Sequence, residues 1–486
     1  MKKIIVCGAG IGGMVSAILL AAKGNEVEIF EKNLTAGGKM NEFNKDGFRF
    51  DTGPSLITMP FVFEEFFRLI DRKMEDYFVM KELESSCKYF WQDSTILNSY
   101  SDNEKFRKEL TEVFGENEKN NFFKYLDYGK IFYDLSKNNF LGKEFSIRDY
   151  ITLDGLKNFS KFISGRSVND VSNKFFKSNK LKQLMDRYAT YNGSTPYMSP
   201  QFFSIIPYVE YKFGSWYVSG GIYNIAKALT KLCTEFNINI NFGHELTDIE
   251  IKSKNISKLI FAKTDKSISE ISEFDEVISN FTNDKNLSEE EYFENDDWSC
   301  SGFILLLGVD KQYKELSHHN ILFSDNYEKE FIDIFEKKIP ADDMTIYISI
   351  SNKEEGKDAP DGCDNWFVLV NAPYLSKTFD WTDENKNIYK NKVIDRIDNF
   401  SFLFDESIRN HIMFSEIFTP LDFQNKYNSE NGSIYGLSSN SLYTLLKRPK
   451  NKSTKFRNLY FTGGNTHPGG GVPLCFLSGK IVSEII

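Results

Sequence analysis

The opening stretch of the chain constrains the fold more than any other. A charge-free apolar run begins at Ile4, leads into Gly8, Gly10 and Gly13, and continues with helical spacing to Ala22. A second strand-like run follows and ends on an acidic residue. The order strand, glycine turn, helix, strand and terminal acid is typical of a dinucleotide-binding βαβ unit.

The glycines of this unit have separate physical roles. Gly8 permits the tight turn out of the strand, Gly10 lets the backbone approach a pyrophosphate, and Gly13 lets helix and strand pack closely. The first helical turn contains Ile11 and Gly12 and offers unpaired N–H groups and partial positive charge to the phosphates. We therefore predict that this turn binds the phosphates of a dinucleotide.

The end of the second strand supplies the next contacts. Glu31, followed by Lys32, lies where a carboxylate accepts the hydrogen bonds of an adenosine ribose. The run from Ile4 to Ala22 could also pass for a signal peptide or a membrane span. Four glycines within six residues disfavour that alternative, because glycine weakens a helix that would have to span.

Two further glycine-rich stretches accompany the first. Gly38 and Lys39 come shortly after the ribose acid, and Gly53-Pro54 interrupts the strand-like residues that follow. Near the other end, residues 463–471 hold five glycines and lead into a final helix from about Val472. We expect the first and last glycine turns to fold together around a single nucleotide.

Composition and charge exclude several classes of protein. A net charge of -10 and a pI near 5.3 argue against a nucleic-acid partner. The six cysteines are scattered, which suggests reduced thiols in an intracellular protein and no zinc site. His318 and His319 lack a carboxylate at ligand spacing, so we predict no metal and expect them to shape a cavity wall or a hydrogen-bonded turn.

Several motifs carry a resemblance to a known family. They are DGFRFDTGPSLITMP, CKYFWQDST, DRYATYNGS, GSWYVSGG, GSIYGLSSNS and THPGGGVPLC. With the two glycine ends, they make the chain resemble the bacterial carotenoid (phytoene) desaturase family, within the FAD-containing amine oxidase superfamily, over nearly its entire length. The likeness is strongest to members that desaturate 1-hydroxylated carotenoids, with diapocarotenoid oxidases also close.

The resemblance implies an α/β fold: a Rossmann-type FAD-binding domain, an inserted β-sheet substrate domain and a helical cap. The corresponding division is residues 1–95, 201–285 and 426–486 for the FAD-binding domain, 96–200 for the helical cap or membrane-facing region, and 286–425 for the substrate domain. The implied FAD contacts are Gly8, Gly10, Ile11, Gly12, Gly13, Glu31, Lys32, Gly38, Lys39, Gly53, Pro54, Leu246, Gly464, Gly471 and Val472. The backbone of Leu246 would contact the adenine.

The implied reaction removes two hydrogens from adjacent carbons of a polyene, with a hydride passing to the flavin. Arg148 and Asp149 match an Arg-Asp pair of the family, and we predict them as catalytic; a surface salt bridge is the alternative. A carotenoid substrate implies peripheral association with a membrane surface on the cytoplasmic side. The basic segment Leu446–Arg457 is read as a solvated loop or as a contact with anionic lipid head groups.

Two other functions fit the same sequence. The first is a terminal oxidase of carotenoids or diapocarotenoids, or a phytoene desaturase, on the same scaffold. The second is a prenyl-lipid escort protein that keeps the fold without redox turnover. The electron acceptor that reoxidises the flavin is not identified by the sequence.

Overall fold

The computed structural model describes residues 1–137, 165–281, 297–441 and 448–486. Its strands are β1 (Lys3–Cys7), β2 (Glu26–Glu31), β3 (Glu42–Lys45), β4 (Phe48–Asp51), β5 (Met80–Glu82), β6 (Ser85–Phe90), β7 (Ile96–Tyr100), β8 (Trp216–Val218), β9 (Asn239–Phe242), β10 (His244–Lys252), β11 (Asn255–Lys263), β12 (Ile268–Ile271), β13 (Glu276–Ser279), β14 (Ser301–Val309), β15 (His319–Leu322), β16 (Ile346–Ser349), β17 (Asp364–Ala372), β18 (Ile412–Phe418) and β19 (Leu459–Phe461).

The described α-helices are α1 (Ile11–Ala22), α2 (Phe61–Leu69), α3 (Asn103–Phe114), α4 (Glu116–Ser136), α5 (Val168–Phe175), α6 (Asn179–Asp186), α7 (Ile205–Phe213), α8 (Asn224–Glu235), α9 (Tyr327–Phe331), α10 (Asn352–Glu355), α11 (Asp383–Asp398), α12 (Pro420–Tyr427) and α13 (Val472–Ile485). Within the described ranges, no helix combines the length and the apolar character needed to cross a bilayer.

A five-stranded parallel sheet in the order β19-β13-β1-β2-β9 carries the N-terminal glycine turn. Its central strand β1 is buried from Ile4 to Cys7, as expected for a strand covered on both faces. The strands come from widely separated parts of the chain, and helices α1, α8 and α13 pack together on one face. The Rossmann-type fold predicted from the sequence is confirmed.

The first and last helices approach each other through glycine. A Cβ atom at Gly479 would lie 2.7 Å from Cγ1 of Val15 and 2.9 Å from the carbonyl oxygen of Gly12. A Cβ atom at Gly12 would in turn lie 2.8 Å from the backbone nitrogen of Gly463. Side chains larger than hydrogen would therefore separate α1 from α13 and from the turn before it.

A seven-stranded mixed sheet in the order β18-β14-β17-β16-β15-β6-β7 forms the second layer. Phe303, Leu305 and Leu307 of β14 point to a core that includes Val393 and Ile397 of α11. The alternate residues of β14 face the opposite side of the sheet. The hairpin β6–β7 pairs with β15, which lies more than 200 residues later, so it belongs to this sheet and spans the boundary predicted at residue 95.

Helices α3 to α7 cover the β6–β7 end of this sheet. Phe106, Phe122 and Tyr125 share an aromatic core with Tyr89 of β6 and Leu184 of α6. This agrees with the predicted helical cap. Three smaller sheets, β10-β11-β12, β3-β4 and β5-β8, accompany the two main sheets.

The helix contact gives a stability prediction. Gly479→Ala places a methyl group inside ordinary contact distance of Val15 and Gly12, and overpacking of this kind costs about 1–3 kcal/mol. We expect chemical denaturation to show a loss of that size in the free energy of unfolding. Glu484→Ala, at an exposed position of the same helix, is the matched control and should change stability by less than about 0.5 kcal/mol. An equal effect of both substitutions would contradict the packing argument.

Candidate active site

A cavity of about 350 Å³ opens at the carboxyl ends of β1 and β2. Its wall includes Gly8 and Gly10 from the first glycine turn and Gly470 and Gly471 from the last. The expectation that the two turns fold together is confirmed. The carboxyl edge of a parallel sheet is also where open α/β folds bind their ligands.

The residues predicted to contact the cofactor gather on this cavity. Those that line it are Gly8, Gly10, Ile11, Gly12, Glu31, Lys32, Gly38, Lys39, Gly53, Pro54, Leu246, Gly464, Gly471 and Val472. Gly13 is not among the lining residues. A Cβ atom at Gly13 would clash with the carbonyl oxygen of Gly8, so Gly13 serves the contact between helix α1 and strand β1.

Glu31 is buried at the end of β2, where its carboxylate is fixed by backbone amides. Oε2 accepts a hydrogen bond from the N–H of Ala9 at 2.7 Å, and Oε1 accepts from the backbone N–H and the side chain of Asn33 at 2.8 and 3.0 Å. A carboxylate oxygen has two lone pairs, so Oε2 can accept a second hydrogen bond. A hydroxyl donor in the cavity, such as that of a ribose, fits this position.

Two helix N-termini end on the cavity. Helix α1 begins after Gly10 and α13 after Gly471, and neither N-cap residue provides a side-chain cap. The backbone N–H groups of both first turns, which in α13 exclude Pro473, are therefore available to an acceptor or anion in the cavity. Gly471 has a φ of 116°, and a Cβ atom there has no neighbour closer than 4.0 Å, so the glycine leaves that space open.

Two cations lie in the walls near the last glycine turn. The ammonium group of Lys39 donates to the carbonyl oxygen of Ile434, and burial lowers the pKa of Lys39 to about 8. Arg448 donates from Nη1 to the carbonyl oxygen of Gly464 at 2.8 Å, and burial lowers its pKa to about 10. An anion nearby would stabilise the charged form of either group.

The observed position of Arg448 differs from the one predicted for its segment. The sequence predicts a solvated loop or a lipid contact for the basic segment Leu446–Arg457, but the guanidinium of Arg448 donates to the carbonyl oxygen of Gly464. Sequence reasoning also missed several residues that line the first cavity, among them Asn280, Tyr435 and Cys475. Asn280 follows β13 at the carboxyl edge of the sheet, which is a signal that could have identified it.

A second cavity of about 410 Å³ adjoins the first. The two share the wall residues Gly53, Pro54, Phe367, Leu369, Ile434, Tyr435, Gly470, Gly471 and Val472. One face of the seven-stranded sheet forms a common floor. Ile304 of β14 lies under the first cavity, its partner Leu369 of β17 under both, and Tyr347 and Ile321 of the next two strands under the second.

A buried polar network closes one part of the second cavity. Arg187 donates to the hydroxyls of Tyr89 at 2.8 Å and Tyr191 at 3.2 Å. Glu210 accepts from Tyr191 at 2.8 Å and from Tyr188 at 2.7 Å. The charges of Arg187 and Glu210 thus balance through Tyr191 without a direct ion pair, in a site where an isolated charge would be costly.

His319 also lines the second cavity. Its Nδ1 lies 2.7 Å from the hydroxyl oxygen of Tyr347, which in turn lies 2.6 Å from Oγ of Ser55. The adjacent His318 contacts Glu354 instead, at 3.2 Å. The prediction that these histidines shape a cavity wall is confirmed for His319, and no set of three potential metal ligands occurs among the described residues.

The predicted catalytic pair, Arg148 and Asp149, lies outside the described residues. Its role therefore stays a prediction.

Comparison with known proteins agrees with the geometry. Residues 6–72 match the model of an NAD(P)-binding Rossmann-like domain. The chain is 35% identical, over all of its length and 99% of the relative's, to a 1-hydroxycarotenoid 3,4-desaturase of Flavobacterium sp. (strain P99-3). It is 33% identical, over all of its length and 98% of the relative's, to a 4,4'-diapolycopene oxygenase of Methylomonas sp.

A solved structure shows the same fold. The cyclohexylamine oxidase of Brevibacterium oxydans IH-35A superposes with a TM-score of 0.59 at 11% identity, over the whole of this chain and 98% of the other. The full-length relatives identify the chain as an oxidoreductase, and its nucleotide-binding fold fits a flavin or other nucleotide cofactor. With full-length identity above 30% to its relatives, the chain belongs to the carotenoid desaturase family.

The polar network gives a second stability prediction. Arg187→Met or Glu210→Gln alone leaves the opposite charge buried without its partner network, and each should lower the free energy of unfolding by about 3–5 kcal/mol. The double variant should lose less than the sum, with a coupling of about 0.5–3 kcal/mol. Urea denaturation of all four proteins measures this coupling, and strictly additive losses would contradict the proposed charge balance.

Proposed function

We propose that this chain binds FAD in the first cavity and desaturates an acyclic, 1-hydroxylated carotenoid that lies in the second. The observation that carries the proposal is the wall shared by the two cavities, at Gly470, Gly471 and Val472. A ligand in one cavity can contact a ligand in the other across this shared wall. The full-length likeness to a 1-hydroxycarotenoid 3,4-desaturase supports the choice of substrate.

The donor set of the first cavity fits FAD. Glu31 suits a ribose hydroxyl, and the amides after Gly10 suit the pyrophosphate. Lys39 adds a buried cation, and the amides after Gly471 suit the carbonyl oxygens of a flavin ring. When bound, FAD supplies the two-electron acceptor for the hydride.

The second cavity fits a long apolar chain. Its apolar walls come from the segment before α2 (Leu56 and Met59), from the cap (Phe202 and Phe203) and from the first turn of α13 (Leu474). Its volume lies within the usual range for small-molecule sites. The task of these residues is to exclude water and to hold one bond of the substrate at the shared wall, since positioning contributes much of the rate of such a reaction.

Oxidation of a terminal carbon is the second candidate. The relative at 33% identity is named as an oxygenase, and its likeness covers the same full length. The two candidates share the cofactor and the cavities but give different products. A role as a lipid escort requires neither a bound flavin nor turnover.

We also propose that the protein associates peripherally with the cytoplasmic face of a membrane, where a carotenoid would reside. Phe61 and Leu69 at the ends of α2 are 38% and 43% exposed, and Met198 is 59% exposed. Met59, next to the start of α2, lines the second cavity. These apolar side chains could therefore contact lipid close to the substrate cavity.

Product mass tests the reaction. The FAD-loaded protein in liposomes should convert a 1-hydroxylated acyclic carotenoid to a product that has lost two hydrogens. A product that has gained oxygen would identify the terminal oxidase instead. Absence of turnover, together with lipid binding that does not depend on FAD, would support the escort function.

The pKa of Lys39 gives a test of FAD binding. Because burial lowers this pKa to about 8, Lys39 is protonated below pH 8 and loses its charge above it. A pyrophosphate favours the protonated form, so the affinity for FAD should be constant below pH 8 and fall above it, by up to about tenfold per pH unit. Isothermal titration calorimetry across this range measures the trend.

Two variants separate charge from shape in that test. Lys39→Met should bind FAD about 10- to 100-fold more weakly at pH 7, as expected for loss of a charged hydrogen bond, and should lose the decline above pH 8. Lys39→Arg keeps its charge throughout and should also bind without that decline. A wild-type affinity that is flat from pH 7 to 10 would show that Lys39 does not contact the cofactor.

A further inference from the structure

A row of hydrogen-bonded polar side chains lines the second cavity, and a hydrocarbon ligand could not form hydrogen bonds with it. Ser55, Tyr347 and His319 are linked by hydrogen bonds of 2.6 and 2.7 Å, and all three line the cavity. His319 is only 2% exposed, and its Nε2 has no hydrogen-bond partner among the described residues. A buried nitrogen in this state is destabilising unless a ligand or water completes its hydrogen bonding.

His319 is a neutral hydrogen-bonding group. Burial, together with the nearby His318 and Arg187, holds the pKa of His319 well below its usual range. A neutral imidazole has one donor nitrogen and one acceptor nitrogen. When Ser55 donates to Tyr347 and Tyr347 donates to Nδ1, Nε2 carries the hydrogen; in the opposite arrangement, Nε2 accepts. A hydroxyl group can pair with Nε2 in either arrangement, because it both donates and accepts.

The sheet places His319 at a defined distance from the shared wall. Phe367 of β17 belongs to that wall. Phe367 pairs with Ser349 on the neighbouring strand β16, and Ser349 pairs in turn with His319 on β15. Two strand spacings separate β17 from β15, or about 10 Å. Because side chains alternate along a strand, His319 lies on the same face as Ile321 and projects from the same floor.

We propose that His319, positioned by Tyr347, is the specificity-determining residue that binds a hydroxyl group near one end of the polyene. The hydroxyl would complete the hydrogen bonding of Nε2, whereas a hydrocarbon end would leave it unpaired. The protein would discriminate against the hydrocarbon because its complex leaves the buried Nε2 without a hydrogen bond, as in other sites that bind a hydroxyl group. This inference rests on the proposed function, since it assumes that the substrate enters the second cavity.

A matched pair of substrates tests the inference. The FAD-loaded protein is given two acyclic carotenoids that differ only in the tertiary 1-hydroxyl group, and kcat/KM is measured for each. The wild-type protein should prefer the hydroxylated substrate by about 10- to 100-fold. His319→Leu should reduce this preference to less than about threefold, through a lower kcat/KM for the hydroxylated substrate and a higher kcat/KM for the hydrocarbon, which no longer leaves Nε2 unpaired.

Three further variants distinguish hydrogen bonding from packing. His319→Gln restores a polar group and should recover part of the preference, and Tyr347→Phe should lose part of it by releasing Nδ1. His318→Gln is the control, because His318 contacts Glu354 and does not line the cavity. An equal loss on both substrates in His319→Leu, or a loss in His318→Gln as large as that in His319→Leu, would overturn the proposal.

Binding separates this inference from the proposed function. If the wild-type protein converts neither carotenoid, the desaturase function fails, and the dissociation constants of the two carotenoids, measured by fluorescence quenching, decide the role of His319. Tighter binding of the hydroxylated carotenoid that disappears in His319→Leu supports the role. Equal affinities in the wild-type protein, or a preference that survives in His319→Leu, would overturn it.

Discussion

The structure depends on the close approach of the first helix and the last. Gly12 and Gly479 bring the backbones of α1 and α13 within a distance that no side chain would permit, and this contact brings residues 463–471 beside the first glycine turn. The cavity between the turns, the helix N-termini that end on it and the position of the second cavity all follow from that contact. The chemistry of the site is thus built on a packing constraint between the two ends of the chain.

The second constraint is the continuous floor of the seven-stranded sheet. The same face of this sheet lies beneath both cavities, so the positions of groups along it are fixed by strand spacing and register. Polar groups on and around the floor occur in compensated sets, as in the Arg187–Tyr191–Glu210 network. The Nε2 atom of His319 is one of several buried polar atoms of the second cavity without a hydrogen-bond partner among the described residues, with Ser136 Oγ, Arg187 Nε and Tyr327 Oη. Its Nδ1 is fixed by the chain of Tyr347 and Ser55 on the floor, which is why Nε2 points to a ligand.

Local sequence predicted the nucleotide half of the site well. Gly8, Gly10, Gly12 and Glu31 lie in one βαβ unit with Lys39 shortly after it, and the structure puts these residues on one cavity. The network around Arg187 and the role of His319 could not be read in this way. Arg187 pairs with Tyr89, which is 98 residues away, and Tyr347 links His319, 28 residues away, to Ser55, 292 residues away. The parallel pairing of strands such as β6 and β15 leaves no local pattern either. Arg448 was missed for a related reason, since a basic run reads as solvated unless its tertiary contact is known.

A crystal structure of the protein with bound FAD tests the central claim most directly. The account predicts the pyrophosphate against the amides that follow Gly10 and the isoalloxazine ring against Gly470, Gly471 and Val472, at the wall shared by the two cavities. Electron density that places the ring away from the last glycine turn, or the dinucleotide outside the first cavity, would contradict it.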